Sequence, residues 1–229
     1  MITIEPHVTN SITSSVYKQL KHQLMIGALK PGESLTLKSL SNSFGVSQTP
    51  VREAILRLVS DRVLSLIHGR SATVPILSIA EFSELREIRM RLESFAIEQA
   101  IEHLDDASIA EIVEAHERYM ERQQAEDYVG VLITNIDFHF KIYKAANMPN
   151  LLAMIETLWA QTGPYLGFLY TYSLTQHPDG HPHEFILAAL KKRDKVAAVD
   201  ALNLDMRRHG DPMLKQLIAA GQFQKTKAA

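Results

Sequence analysis

Ten histidines and no cysteine frame the chemistry open to this 229-residue chain. A disulfide framework, a thiolate-held zinc or iron–sulfur centre and a thiol nucleophile are excluded. What remains is imidazole, carboxylate and amide chemistry. Asn135 and His139 lie four residues apart, beside the apolar positions Leu132, Ile136, Phe140 and Tyr143, so on a helix they share one face. Asp205 and His209 repeat that spacing beside Leu202 and Met206, and His183 opens a third segment. Two inward-leaning nitrogen and oxygen pairs plus another imidazole are a donor set for a divalent metal with positions left open. The same side chains also suit hydrogen-bonded structural positions at helix edges, and spacing does not choose between the two. His177 and His181, in a Pro- and Gly-containing stretch, read as solvated loop residues. Arg89 is the other chemically pointed residue. At about 100° per residue, Leu85, Ile88, Leu92, Phe95 and Ala96 form one stripe, and Arg89 falls inside it. A buried guanidinium needs an anion, either a glutamate of the same bundle or the carboxylate of a small molecule. Trp159, Tyr165, Tyr170 and Tyr172 are candidates for a cavity wall or for ordinary core.

A different chemistry is written nearer the start. Gln48, Thr49, Arg52 and Glu53 fall on the open face of a short helix whose buried positions are Val51, Ala54, Ile55 and Leu58. Arginine can bond both O6 and N7 of guanine, and glutamine N6 and N7 of adenine. Lys38 on the preceding helix and Arg70 in a following turn are placed to meet phosphates.

The elements that must position these groups are legible. A helix fits Ser14 to Leu29, ended by Lys30-Pro31-Gly32. A short helix fits Leu37 to Phe44, with Gly45 at its end, and Ser47 or Thr49 caps the next, with Pro50 in its first turn. Val63 to Ile67, His68-Gly69-Arg70-Ser71 and Ala72 to Pro75 read as strand, turn and strand. Two helices joined by a tight turn and followed by a hairpin form a winged helix-turn-helix, which lays its second helix in the major groove of DNA. From Ser78 the pattern changes to long helices with short connections: to about Leu104, Asp106 to Gln124, Asp127 to Ala146, Asn150 to Tyr172 with a bend at Gly163-Pro164, His183 to Lys192, and Asp194 to Ala220. Short connections favour antiparallel neighbours in a bundle. The fold class is therefore mainly α: a winged helix-turn-helix over residues 1–76 and an antiparallel helical domain over 77–229.

Charge follows the same division. The whole chain carries 24 Lys and Arg against 26 Asp and Glu, a formal charge of −2. Residues 1–76 hold eight bases and four acids, whereas the remaining 153 hold 16 bases and 22 acids. Opposite balances point to segments with different partners, a polyanion for the first. No uncharged apolar run reaches membrane-spanning length, and the start lacks the order of a signal peptide, so a cytoplasmic location with no membrane partner is expected.

These residues carry a resemblance. Gly27-Ala-Leu-Lys-Pro-Gly-Glu-Ser-Leu35, Leu40, Gly45-Val-Ser-Gln-Thr-Pro-Val-Arg-Glu-Ala54, Arg57-Leu58 and His68-Gly69 resemble the winged helix of GntR-family transcription regulators. The resemblance implies DNA contacts at Lys38, Gln48, Thr49, Arg52, His68 and Gly69. This chain has Gln48 where the family usually has Arg, and Arg62 where it usually has Gly. Arg89-x-x-Leu92-Glu93, Asn135-x-x-Phe138-His139, Ala146-Asn147 and His183 with Ala189-Leu190 and Asp194 are similar to the effector domain, called FCD, of the FadR-like branch. In many members an Asp and three His bind a metal there. Those positions map to Asn135, His139, His183 and Asp205, a set with one amide and one carboxylate exchanged, next to His209. The resemblance implies a homodimer on a double-stranded DNA operator, and a small sugar acid or carboxylic acid as effector. That acid's carboxylate would meet Arg89 and a divalent ion that these donors do not resolve among zinc, nickel and manganese. Two other readings stand beside it. One is a regulator that takes a long acyl thioester without metal. The other is a metal-dependent hydrolase with an appended helix-turn-helix, for which neither an HExxH motif nor a candidate general base is present.

Overall fold

A computed structural model describes residues 12–67, 71–167 and 180–224. The DNA-reading segment comprises α1 (Ile12–Met25), β1 (Ser34–Thr36), α2 (Leu37–Phe44), α3 (Gln48–Ser60), β2 (Ser65–Ile67) and β3 (Ser71–Thr73). Val16, Leu20 and Leu24 of α1 pack with Val51, Ile55 and Leu58 of α3 in one core. α1 ends at Met25, earlier than Lys30-Pro31 suggests, because Gly27 takes a left-handed φ of 68° and turns the chain. Thr36 caps α2 by accepting from the Ser39 N–H. Gly45 closes α2 at φ 64°, and its N–H and that of Val46 return to carbonyls of the last turn. Ser47 occupies the cap position of α3, although its hydroxyl makes no capping bond. The expected two-stranded wing is part of a three-stranded antiparallel sheet in the order β1-β3-β2, with Leu35 opposite Ala72 and Leu66 opposite Ala72 on the other side. β1 is three residues long and lies just after Pro31-Gly32, so no alternating run announces it.

The helical domain comprises α4 (Ile79–His103), α5 (Asp106–Gln124), α6 (Tyr128–Ala145), α7 (Pro149–Leu166), α8 (Pro182–Lys192) and α9 (Lys195–Ala219). Each start has a local cause. Ser78 and Glu81 form a reciprocal capping box, Asp105 and Asp194 cap α5 and α9, and Pro149 and Pro182 occupy first-turn positions. α4 packs against α6, α7 and α9; α5 pairs with α6, and α8 with α9.

The buried face of α4 differs from the apolar stripe in the sequence. Phe82, Arg89, Glu93, Ala96 and Ala100 face inward, whereas Ile88 and Phe95 are 39% and 41% exposed and Leu85 and Leu92 are half-buried. The inward face is centred on a polar network, so the longest apolar stripe is the outer one.

The two parts meet along α1 and α7. Lys21, nearly buried, reaches Glu156 at 3.3 Å and Thr157 at 3.2 Å, and the Gln161 amide donates to the Asp61 carbonyl at 3.0 Å. Gly27 and Gly163 approach so closely that a Cβ on Gly163 would stand 2.3 Å from the Leu24 carbonyl oxygen.

Candidate effector cavity and DNA-reading face

Between α4, α6, α7 and α9 lies a cavity of about 100 Å³, several times the roughly 10–15 Å³ that one water needs. One wall is polar: Arg89, Asn135, His139, Thr162, Asp205 and His209. The other is apolar, with Phe82, Leu166, Met206 and Met213. Tyr165, expected as a candidate lining residue, is instead fully buried against Phe82 and Phe223, its hydroxyl accepting from the Leu77 N–H. Tyr170, Tyr172 and His177 fall outside the described residues.

Arg89 enters the cavity already paired. Its Nε donates to Glu93 at 2.7 Å and its Nη1 to the Thr162 hydroxyl at 3.0 Å, while the guanidinium carbon lies 4.0 Å over the Trp159 ring. Glu93 also accepts from the Tyr143 hydroxyl at 2.6 Å and from Trp159 Nε1 at 3.0 Å. The internal glutamate is therefore one anion that Arg89 meets. Burial, with the Glu93 charge, raises the Tyr143 hydroxyl well above its usual range, so it stays a donor. A second guanidinium reaches the cavity: Arg86, 2.7 Å from Asp211. It lies three residues before Arg89, between Leu85 and Glu87, and no sequence signal set it apart.

The metal-type donors do converge. His139, His183 and Asp205 bring one donor atom each within 4.8 Å of one another, and all three are buried. His139 Nε2 is 3.3 Å from Asp205 Oδ2, and His183 Nε2 is 3.9 Å from Asp205 Oδ1. Two ligands tetrahedrally bound at 2.0–2.2 Å to one ion are about 3.4 Å apart, so the spacing is near that of a formed site. His183 is 0% exposed, and neither of its nitrogens has a hydrogen-bond partner among the described residues. Burial lowers its pKa well below the ordinary value, which keeps a lone pair available. Desolvation alone would raise Asp205, yet the bonds from His139 and His209 hold it well below the carboxylate range. His209, 3.1 Å from Asp205 Oδ1, is pushed down by burial and more strongly up by that carboxylate. Asn135 lines the same cavity one turn before His139. These residues fit a divalent ion, with His209 as an additional or alternative donor.

His181 is not the solvated loop residue its neighbours suggested. It is 8% exposed, stands at the cap of α8 with Nδ1 accepting from the His183 N–H, and its Nε2 is 3.1 Å from the Tyr119 hydroxyl. Pro182 in the first turn was the available signal that a helix starts there. His116 of α5, also buried beside His181 and His183, has no partner at helical spacing and was not visible in the sequence.

On the DNA-reading face, Gln48, Thr49 and Arg52 are exposed at the start of α3, and Lys38 is exposed on α2. Glu53 accepts from the Thr13 hydroxyl at 2.7 Å, so it is tied to α1. His68, Gly69 and Arg70 lie outside the described residues. Arg62 keeps the turn a glycine would make: its φ is 58°.

Residues 12–74 match the model of bacterial regulatory proteins of the gntR family, and residues 84–211 match the FCD domain. The chain belongs to the GntR family of transcription regulators, in its FCD branch. It is 41% identical over 189 residues to the HTH-type transcriptional regulator McbR of Escherichia coli (strain K12), covering 81% of this chain and 85% of the relative. It is 31% identical to the HTH-type regulator YdhC of Bacillus subtilis (strain 168), over 80% and 82% of the two chains. The solved structure of E. coli McbR/YncC superposes with a TM-score of 0.85 at 38% identity, covering 90% of this chain and 98% of that one. A putative GntR regulator from Rhodococcus sp. RHA1 shares the fold, with a TM-score of 0.70 at 22% identity over 91% and 98% of the chains. This GntR-family chain is a transcription regulator and not an enzyme, which removes the hydrolase reading. No described helix is long and apolar enough to cross a membrane.

Proposed function

We propose that this regulator binds an operator through residues 1–76 and that a small carboxylic acid, held in the cavity of residues 77–229, sets its DNA affinity. One observation carries the reading: α7 faces both parts. Trp159 and Thr162 line the cavity and contact Arg89, while Glu156, Gln161 and Gly163 meet α1 and Asp61. A ligand that reorders the Arg89 wall therefore acts on the helix that seats the DNA-reading segment. Switching follows only where the acid binds two arrangements of α7 with different affinity.

Gln48, Thr49 and Arg52 read base edges, Lys38 and Arg70 meet phosphates, and His68 and Gly69 add further DNA contacts. Asn135, His139, His183 and Asp205 hold a divalent ion, which supplies a positive anchor for the acid's carboxylate. Arg89, already neutralised by Glu93, positions that carboxylate through its remaining donors. The outer stripe of α4, with Ile88 and Phe95 exposed and Leu85 and Leu92 half-buried, supports a homodimer in which a second copy covers it. Two winged helices then meet two half-sites.

The test is a thermal-shift screen of small organic acids, followed by operator titration by fluorescence anisotropy. At least one acid should raise the melting temperature and change operator affinity. His139→Gln should lose the thermal shift, and Arg52→Ala should lose the specific complex while keeping it. An acid that stabilises the protein yet leaves operator affinity unchanged refutes the coupling.

A further inference from the structure

Beside the His139–Asp205 group lies a second set of imidazoles. His116 on α5 and His181 and His183 at the start of α8 bring one ring nitrogen each within 4.8 Å of one another. Their ring centroids are 5.8 Å (His116 to His181), 5.5 Å (His116 to His183) and 4.5 Å (His181 to His183) apart. Three imidazoles bound at about 2.1 Å to one tetrahedral ion have centroids roughly 5 Å apart. The rings are thus spaced as ligands of one ion would be. His116 and His181 are each 8% exposed and His183 is 0% exposed. His116 Nδ1 and both nitrogens of His183 lack a hydrogen-bond partner among the described residues. A neutral imidazole carries one donor and one acceptor, and a buried polar atom left unpaired calls for an explanation. Phe138 stacks on His183 at 4.0 Å and Tyr119 lies at 4.9 Å, so the rings are held in place by apolar walls.

We propose that His116, His181 and His183 form a second divalent-metal site, adjoining the first and sharing His183 with it. Three nitrogen donors with no carboxylate suit zinc, nickel or copper and are poor for magnesium or calcium. His183 Nε2 looks toward Asp205, which leaves Nδ1 for the second ion. When both sites are filled, His183 binds through both nitrogens, and the proton it carried goes to solvent. His181 binds through Nε2, its proton passing to Nδ1. It exchanges the Tyr119 contact and the 3.2 Å contact from the His183 N–H for the metal bond. An ion here ties α5 to α8, the helix that packs along α9, which bears Asp205. The three rings carry this inference by themselves, although His183 also belongs to the site of the proposed function.

The experiment is zinc and cobalt titration of the chelator-stripped full chain, read by native mass spectrometry and by cobalt visible absorption. Circular dichroism checks that each variant is folded. The wild type should bind about two ions per protomer. His116→Gln and His181→Gln should each bind about one, His139→Gln and Asp205→Asn about one, and His183→Gln none. A single wild-type ion that survives His116→Gln and His181→Gln, and is lost in His139→Gln, overturns the second site and leaves the first standing. An ion lost in His116→Gln and His181→Gln but kept in His139→Gln supports the second site and removes the first. A wild type that binds no ion overturns both.

Discussion

Gly163→Ala tests how tightly the two parts of the chain are joined. A Cβ built there stands 2.3 Å from the Leu24 carbonyl oxygen, 2.6 Å from that of Met25 and 2.8 Å from the Met25 Cα. All three are backbone atoms of α1, so none can rotate away. Ordinary contact begins near 3.4 Å, and α1 and α7 would have to separate by about 1 Å, an overpacking cost of roughly 1–3 kcal/mol. The residue also precedes Pro164, where a Cβ in helical conformation meets the proline ring. Against this, alanine is about 1 kcal/mol better than glycine inside a helix. The steric terms win, and the expected net loss is about 2 kcal/mol, or roughly 4–8 °C in melting temperature for a chain of this size. Gly210→Ala is the matched control. Its Cβ would also fall under 3 Å from neighbours, but these are the Nη2 and Cζ atoms of Arg86, the far end of a flexible side chain. Arg86 can swing aside, the helix gains the alanine propensity, and the melting temperature should move by less than about 2 °C. Both variants are read by calorimetry and by limited proteolysis across residues 74–79. Gly163→Ala alone should melt earlier and be cut faster. Equal melting of Gly163→Ala and wild type, or equal losses in both variants, refutes the claim that backbone contact fixes α1 against α7.

Three further outcomes follow from single residues. Arg62→Gly should stabilise the DNA-reading segment by up to about 1 kcal/mol, because it relieves a left-handed backbone costing roughly 1–2 kcal/mol against some gain in unfolded-state entropy; chemical denaturation checks it. Glu93→Gln should cost about 3 kcal/mol by leaving the Arg89 charge uncompensated in a buried site, and adding Arg89→Met should recover part of it, as thermal melts of the single and double variants would show. Ser78→Ala should cost about 1 kcal/mol at neutral pH. The Ser78 backbone and hydroxyl hold Glu81 below its ordinary pKa, so this stabilisation is present above the unfolded value and lost as pH falls through the folded one. The gap between wild type and Ser78→Ala should therefore narrow in acid, as denaturation midpoints across a pH series would show.

Helix starts were readable where a side chain closes the first turn, as Ser78 does with Glu81 and as Asp105 and Asp194 do, whereas α7 and α8 begin one residue before the expected Asn150 and His183, at Pro149 and Pro182. Helical spacing beside apolar stripes made the pairs Asn135/His139 and Asp205/His209 candidates, the resemblance to the FCD domain selected Asn135, His139, His183 and Asp205, and three of these converge. Three things were not readable. β1 is too short for alternation and exists only because β3 pairs with it. The inward face of α4 was misassigned, since a stripe of Leu85, Ile88, Leu92 and Phe95 outweighs Arg89 and Glu93 in any apolar count. Only tertiary pairing with Trp159, Tyr143 and Thr162 shows that the polar face is the buried one. His116 lies 67 residues before His183, and only the packing of α5 against α8 brings the rings together.

The Arg89–Glu93 network bears on how a regulator of this build can respond at all. A guanidinium free in the cavity would bind an acid tightly and change nothing beyond it. Here Arg89 is shared: Glu93 and Thr162 hold its donors, and Trp159 covers its face. Two of those three partners stand on α7. An incoming carboxylate must share Arg89 with Glu93, and any shift of the guanidinium changes what Trp159 and Thr162 rest on. The opposite side of α7 is clamped to α1 by a Lys21–Glu156 ion pair and by glycines with no room to slide. Close-packed interfaces of that kind move between discrete arrangements more readily than they deform. Internal neutralisation of Arg89 therefore weakens the bare attraction for an anion and, in the same contacts, links that attraction to the position of α7.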